Sequence, residues 1–131
     1  MIPIGVIVSF IILHWIADYV MQEGDWAVKK SKEWPALLKH TSTYTAIFGV
    51  VTLINPLTPM IGTDWGAFVL ITFVLHTITD YFTSKHSSKQ YQKGNFGTSI
   101  PRGMDFFVTL GFDQVLHGLQ LFITYWYLTT T

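Results

Sequence analysis

The sequence predicts an all-α, polytopic integral membrane protein that folds as a single four-helix transmembrane bundle over residues 1–131. Half of its residues are hydrophobic and 12% are charged, whereas a soluble domain has roughly a quarter of charged residues. Four apolar segments follow one another, each close to the roughly 20 residues that a helix needs to cross a bilayer. The eight basic residues all lie in or beside the two polar segments that connect spans one to two and three to four.

Local signals mark where these helices begin. Pro35 stands before the second apolar segment, where proline suits the first turn of a helix. Thr63 and Asp64 precede the third segment and are candidate N-caps, and Pro101 precedes the fourth. The predicted spans cover residues 2–21, 36–54, 65–83 and 104–128, with polar loops at residues 22–35 and 84–103.

The placement of charge predicts an orientation in the bilayer. Because basic loops stay on the cytoplasmic side, both polar loops are expected there, and both termini outside the cytoplasm. The expected location is therefore a cell's inner or plasma membrane, with the lipid bilayer as the main partner. The formal net charge is zero, so nothing favours nucleic-acid binding. Cysteine is absent, which excludes disulfides, thiolate metal ligands and cysteine nucleophiles.

Histidines occur inside all four apolar segments, and aspartates inside three of them. Residues four apart lie on one face of a helix, so each i, i+4 pair points in one direction. Helices one and three descend to the basic loops and helices two and four return from them, so the expected depths of these groups match. The candidate metal ligands are His14, Asp18, His40, His76, Asp80, Asp113 and His117.

Two of these pairs share a longer pattern. Residues 14–19 and 76–81 both read His-x-Ile-x-Asp-Tyr, and each is followed by a lysine-rich loop and a returning helix that carries a histidine. This echo is consistent with two duplicated helical hairpins related by an axis along the membrane normal. The second halves of the two hairpins match less well, so duplication is a hypothesis.

The membrane setting makes these ionisable groups informative. Placing one such side chain at mid-membrane costs about 2.5 kcal/mol of free energy or more. The ionisable side chains are therefore expected to face one another, a metal ion or water. Histidine and carboxylate at i, i+4 can present two ligands to one ion, which predicts a divalent metal, with zinc the first candidate. Seven ligands exceed one tetrahedral shell, so two ions, or one ion with outer carboxylates, both stay open. A proton or ion pathway and purely structural polar packing are the alternatives.

The residues also resemble a known family. The chain carries a series of residues that is similar to a family of small bacterial and phage membrane proteins of unknown function. These residues are His14…Asp18-Tyr19…Gln22, Trp26, Lys29, Lys32, Leu37–Leu38, His40-x-x-x-Tyr44, His76-x-x-x-Asp80, Lys85 and Asp113-Gln114-x-x-His117. The resemblance covers nearly the whole chain and implies four membrane helices with a shared polar cluster. More distantly, the chain resembles membrane-bound metal-dependent hydrolases, by residue types more than by order.

The first functional hypothesis is metal-dependent hydrolysis of a phosphorylated or lipid substrate. A bound metal would lower the pKa of a water molecule to about 7, and Asp80 or Asp113 would act as the catalytic general base. Four further residues are expected to support the metal or the substrate: Gln22, Tyr44, Lys85 and Gln114.

Two other classes of function remain open. The same residues could serve an oligomeric cation or proton transporter or channel, because four short helices would need to form a homo-oligomer to enclose a pathway. The outer halves of spans one to three offer little polar lining, which favours a one-sided site over a conduit. A non-catalytic membrane interaction protein is the third hypothesis. Neither the substrate nor the metal is identified by the sequence.

Overall fold

A computed structural model describes residues 1–21, 24, 29–58, 60–97 and 103–130. The described residues form four α-helices and no strand, so the all-α prediction is confirmed. α1 covers Ile4–Trp15 and continues as a π-helical segment, Ile16–Val20. α2 is Trp34–Ile54, α3 is Gly62–Gln92 and α4 is Met104–Thr130.

The start of α2 agrees with the sequence signal, because the proline lies in its first turn. The start of α3 does not agree. Gly62 already belongs to the helix, so Thr63 and Asp64 lie within its first turn and the prediction that they are N-caps was wrong. Asp64 instead places a negative charge near the positive end of the helix dipole, where it is stabilising.

The end of α3 also differs from the prediction. The helix continues beyond Thr83 to Gln92, so the first part of the predicted 84–103 loop is helical. Residues 84–92 are polar but contain neither glycine nor proline, so nothing in them interrupts a helix. Gly94, with a φ of 76°, lies just after the helix in a conformation that side chains other than glycine rarely adopt.

Successive helices pack in an antiparallel arrangement. α2 packs extensively against α3 and α3 against α4, while α1 contacts both α2 and α4. The π-helical segment packs on α2. Residues near the end of α1 therefore lie beside the beginnings of α2 and α4 and the middle of α3, which brings the predicted polar residues to one level of the bundle.

An aromatic layer fills the bundle on the side of the chain termini. Phe10 lies at its centre and is 1% exposed. Its ring contacts at least one aromatic ring from each of the other three helices. Phe48 and Phe68 are fully buried in the same layer. The nearest partner is Tyr125, whose ring centroid lies 5.3 Å from that of Phe10 at an interplanar angle of 81°. These contacts close the bundle next to the polar cluster.

The outside of the bundle is apolar. Large hydrophobic side chains such as Ile11, Val50, Leu70 and Leu119 are each half or more exposed, while histidine, aspartate and threonine side chains are buried inside. By length and composition α3 and α4 could each cross a membrane, and Ile4–Val20 is a shorter apolar helix.

Candidate metal centre

All four helices contribute buried polar side chains to one cluster. His40, His76, Asp80 and His117 are each 1% exposed. The other three predicted ligands lie around them, with His14 9% and Asp18 6% exposed, and Asp113 more open, with 18% of its side chain exposed. The structure thus brings the seven predicted residues into one region.

The π-helical segment positions Asp18. The amide of Met21 donates to the carbonyl of Ile16 at 2.9 Å, five residues back, which is the wider turn that defines a π-helix. Asp18 Oδ1 lies 3.1 Å from His40 Nε2 on α2, whereas its Oδ2 lies 3.9 Å from His14 Nε2 on its own helix. Single π-helical turns occur often at functional sites, and the sequence carried no signal for this one.

Asp80 lies at the centre of the cluster. Its Oδ2 is 2.9 Å from His40 Nε2, and its Oδ1 is 3.1 Å from His117 Nε2. His76, on the same helix, is farther away at 3.8 Å. The contacts of Asp80 with other helices are therefore shorter than its i, i+4 contact with His76. The i, i+4 spacing puts both side chains on one face of the helix, and the packing of the helices brings them against the other ligands.

The Nε2 atom of His40 has more polar neighbours than it can bond. Besides Asp18 and Asp80, it lies 3.2 Å from His76 Nε2 and 3.5 Å from Lys30 Nζ. An imidazole nitrogen either donates one hydrogen bond or accepts one. At most one of these four contacts can therefore be a hydrogen bond of this nitrogen, and the other polar atoms crowd around it without one.

His14 is held at the edge of the cluster by neutral partners. Its Nε2 lies 2.7 Å from the Gln114 amide oxygen, which can only accept, so Nε2 carries the proton. Its Nδ1 then accepts from the Tyr44 hydroxyl at 2.8 Å. Gln114 also donates to Asp113 at 3.2 Å, and the Tyr44 ring stacks on His76 with centroids 3.7 Å apart. Both residues thus lie where they could orient ligands.

Lys30 reaches the cluster from the segment before α2, which sequence reasoning missed. Its Nζ donates to Asp80 Oδ2 at 2.9 Å, and 16% of its side chain is exposed. Burial by itself would lower the pKa of Lys30, but the negative charges of Asp80 and Asp18 outweigh burial and raise this pKa. The basic character of the loop was visible in the sequence, but no pattern showed which lysine would fold inward.

Two overlapping groups have the composition and spacing of metal ligands. One is Asp18, His40 and His76, the other is His76, Asp80 and His117, and within each group the ligand atoms lie within 4.8 Å of one another. His76 belongs to both, as expected if two neighbouring ions share the site or if one ion selects among these atoms. His14 and Asp113 lie outside both groups.

The charges and unpaired atoms of the cluster suit a cation. Among the described residues, the buried Oδ1 atoms of Asp18 and Asp113 lie 3.1 Å from His40 Nε2 and 3.4 Å from His117 Nε2, but neither contact has hydrogen-bond geometry. Asp18, Asp80 and Asp113 bring three carboxylates, and the ammonium of the inward-folded lysine offsets one of them. With neutral imidazoles two negative charges remain, which a divalent ion would neutralise. The residues present therefore fit a divalent metal such as zinc, for which histidine and carboxylate are ordinary ligands.

A cavity of about 330 Å³ opens beside the cluster. Asp18 and Asp113 form its floor, and Lys30 lines one side. Hydroxyl-bearing residues of α3 and α4 form other walls, together with Phe96 and Phe106. A molecule of modest size could therefore reach the cluster from the end of the bundle that carries the lysines.

The structure does not bring the other two predicted site residues into the cluster's described contacts. Gln22 lies outside the described residues. Lys85 is exposed, and its Nζ lies 3.8 Å from the centre of the Tyr81 ring, in a cation–π contact. His86, the fifth histidine, is exposed on α3 and contacts Gln90.

The fold and the site together define an all-α protein with an apolar exterior and a buried histidine–aspartate cluster that could hold a metal ion. The chain belongs to the family described as protein of unknown function (DUF3307), whose model matches residues 6–131. Comparison with curated proteins and with solved structures gives no match. The expectation of a family of unknown function is thereby confirmed.

Proposed function

We propose that the protein is integral to a membrane, with all four helices crossing it and the cluster near the cytoplasmic side. Support comes from the reversed polarity of the bundle, which exposes large apolar side chains and buries histidines and aspartates. In lipid this places apolar surface against acyl chains and ionisable groups against each other. The described lysines lie at the end of the bundle that carries the cluster, which by the positive-inside rule faces the cytoplasm.

Reporter fusions test this arrangement. Alkaline phosphatase fused after residue 130 should be active, because both termini are placed outside the cytoplasm, and the same fusion after Lys93 should be inactive. Green fluorescent protein at the same two sites should give the opposite pattern. Equal activity at both sites, or recovery of the chain without detergent, would overturn the membrane proposal.

The cluster is proposed to bind a divalent metal, with zinc the first candidate. The observation that carries this proposal is the convergence of the His40 and His76 Nε2 atoms, 3.2 Å apart, beside Asp18 Oδ1, whose 3.1 Å contact with His40 lacks hydrogen-bond geometry. A protein that kept these groups only for packing would be expected to pair them fully, because a buried unsatisfied polar atom costs about 1–3 kcal/mol.

Elemental analysis of the detergent-purified protein tests the metal. Near-stoichiometric zinc, manganese or iron should be present in the wild type and lost in His76→Ala and Asp80→Asn. The matched control is His86→Ala, which removes an exposed histidine from the same helix and should keep the metal. A folded wild type that binds none of these metals on titration would contradict the proposal and favour structural packing or proton transfer.

The reaction we propose is hydrolysis of a phosphorylated or lipid substrate. A bound divalent metal lowers the pKa of water to about 7 and polarises a phosphoryl or acyl oxygen. Asp113 is the better placed general base, because it lines the cavity, whereas Asp80 is held by contacts on both oxygens. In the step, the water oxygen forms a bond to phosphorus or to the acyl carbon while Asp113 takes its proton. The bond to the leaving alcohol breaks, and Asp113 passes that proton to the leaving oxygen.

Transport through a single bundle is disfavoured by the aromatic layer. Phe10, Phe48 and Phe68 are at most 1% exposed and lie between the cluster and the termini. The cavity beside Asp113 lies at the lysine-bearing end of the bundle, on the other side of the cluster from the aromatic layer. A cation or proton flux in proteoliposomes that Asp113→Asn abolishes would instead support the transporter alternative.

A further inference from the structure

The strongest feature beyond the cluster is a second, apolar groove between α3 and α4. It measures about 440 Å³ and is walled by Phe82, Val108, Phe112 and Leu116. Three of these side chains, Phe82, Val108 and Phe112, are more than 60% exposed, so the groove opens on the outer surface of the bundle.

This groove adjoins the cavity beside the cluster. Thr83 and Thr109 line both spaces, one from each helix. The bundle therefore places an apolar groove on its side directly next to a polar chamber. An elongated molecule lying in it would place an apolar tail between α3 and α4 and a polar end beside Asp18, Lys30 and Asp113.

With a divalent ion offsetting the Asp18 and Asp113 carboxylates, the chamber has groups suited to a phosphate. Ser84, Ser87 and Thr109 bring hydroxyl groups and Lys30 brings an ammonium, whereas the Thr83 hydroxyl already donates to the Thr79 carbonyl. The Ser84 hydroxyl oxygen is buried and has no hydrogen-bond partner among the described residues, so a ligand would satisfy it. The chamber also lies at the lysine-bearing end of the bundle, where the head groups of a bilayer would be.

We propose that the substrate class is a phospholipid that enters laterally, with one acyl chain in the α3–α4 groove and its phosphate in the chamber beside the metal ligands. This inference rests on the proposed membrane location and metal-dependent hydrolysis. Of the two proposed substrate classes, phosphorylated molecules and lipids, it selects molecules that belong to both.

Another apolar groove, on a different side of the bundle, provides an internal control. It lies between α2 and α3, measures about 530 Å³, and is lined by residues that include Trp65, Leu70 and Phe73. It is larger than the α3–α4 groove, but in the described part of the chain it shares no lining residue with the chamber. A lipid that merely surrounds the protein should occupy both grooves, whereas a recognised lipid should prefer the α3–α4 groove.

The test uses phosphatidylglycerol with a photoactivatable diazirine near the end of one acyl chain, in nanodiscs that contain the full chain. After irradiation, mass spectrometry should find adducts on Phe82, Phe112 and Leu116 roughly tenfold more often than on Leu70 and Phe73, as about 1.4 kcal/mol of preference would give. Diacylglycerol with the same diazirine but no phosphate should lose this preference. Equal labelling of the two grooves, or equal preference with diacylglycerol, would overturn the inference.

Two variants sharpen the result. Thr109→Trp fills the junction of groove and chamber and should abolish the preference, whereas Val115→Trp adds the same ring on an exposed position of α4 and should leave it unchanged. Metal content is measured on the same samples, because neither residue belongs to the ligand groups. If the wild type retains its metal but labels both grooves equally, the lipid inference alone is wrong. If the wild type labels the α3–α4 groove preferentially but contains no metal, the proposed metal centre is wrong.

Discussion

Replacing Asp80 by asparagine removes one negative charge from the centre of the cluster while keeping the shape of the side chain. The carboxylate contacts Lys30 at 2.9 Å, His40 at 2.9 Å and His117 at 3.1 Å. In metal-free protein the substitution leaves the Lys30 ammonium without its closest counter-ion, and one oxygen acceptor becomes an amide donor. The free energy of unfolding should therefore fall even when no metal contributes.

The size of this fall follows from the burial of the pair. Removing one partner of a buried ion pair costs about 3–5 kcal/mol. Because 16% of the Lys30 side chain is exposed and its ammonium can turn toward the cavity, we expect the lower end, about 3 kcal/mol. In the double variant Lys30→Met/Asp80→Asn neither member of this ion pair is left without the other, so the two substitutions should couple favourably by about 1–3 kcal/mol.

The assay is equilibrium unfolding in detergent micelles with a chelator present, followed by the circular dichroism of the helices. The matched control is Asp105→Asn, because Asp105 is an exposed aspartate in the first turn of α4. There the loss should be about 0.3–1 kcal/mol, the usual worth of such a charge near a helix N-terminus. An Asp80→Asn loss no larger than that of the control, without coupling to Lys30, would refute the arrangement of the cluster.

Three further substitutions test separate parts of the structure. Tyr44→Phe removes the hydroxyl that donates to the Nδ1 atom of buried His14 and should cost about 1 kcal/mol of unfolding free energy. Because His14 lies outside both ligand groups, zinc affinity in a competition titration should stay unchanged, and a weaker affinity would contradict that placement. Phe10→Ala, at the centre of the aromatic layer, should cost about 3–5 kcal/mol of unfolding free energy, whereas Ile12→Ala on the exposed face should have an effect within about 0.5 kcal/mol. Trp65→Phe loses the bond from its indole N–H to a backbone carbonyl of α2, 2.9 Å long, and should cost about 1 kcal/mol in the same assay.

The four helices could be predicted from the sequence because long apolar segments and helix-starting residues are local signals. Pro35 placed the start of α2 well, since its effect is confined to one turn. The end of α3 was predicted too early, because a change from apolar to polar residues at Thr83 indicates a change of environment and does not break a helix.

The meeting of the polar residues could be anticipated, but its geometry could not. The i, i+4 spacing of His76 and Asp80 fixes a common face, and alternating helix direction fixes a common depth. The π-helical turn around Asp18 and the inward fold of Lys30 depend on contacts between distant segments, so no local pattern reveals them. The cavity likewise exists only once the polar end of α3 packs beside α4.

The central claim is that imidazoles from different helices bind one metal centre, and X-ray absorption spectroscopy of the zinc-loaded protein tests it most directly. The spectrum should show nitrogen and oxygen ligands at about 2.0–2.2 Å, with the outer-shell scattering of at least two imidazoles, and His40→Ala should remove part of that scattering. Zinc bound without imidazole scattering, or a spectrum unchanged in His40→Ala, would contradict the account.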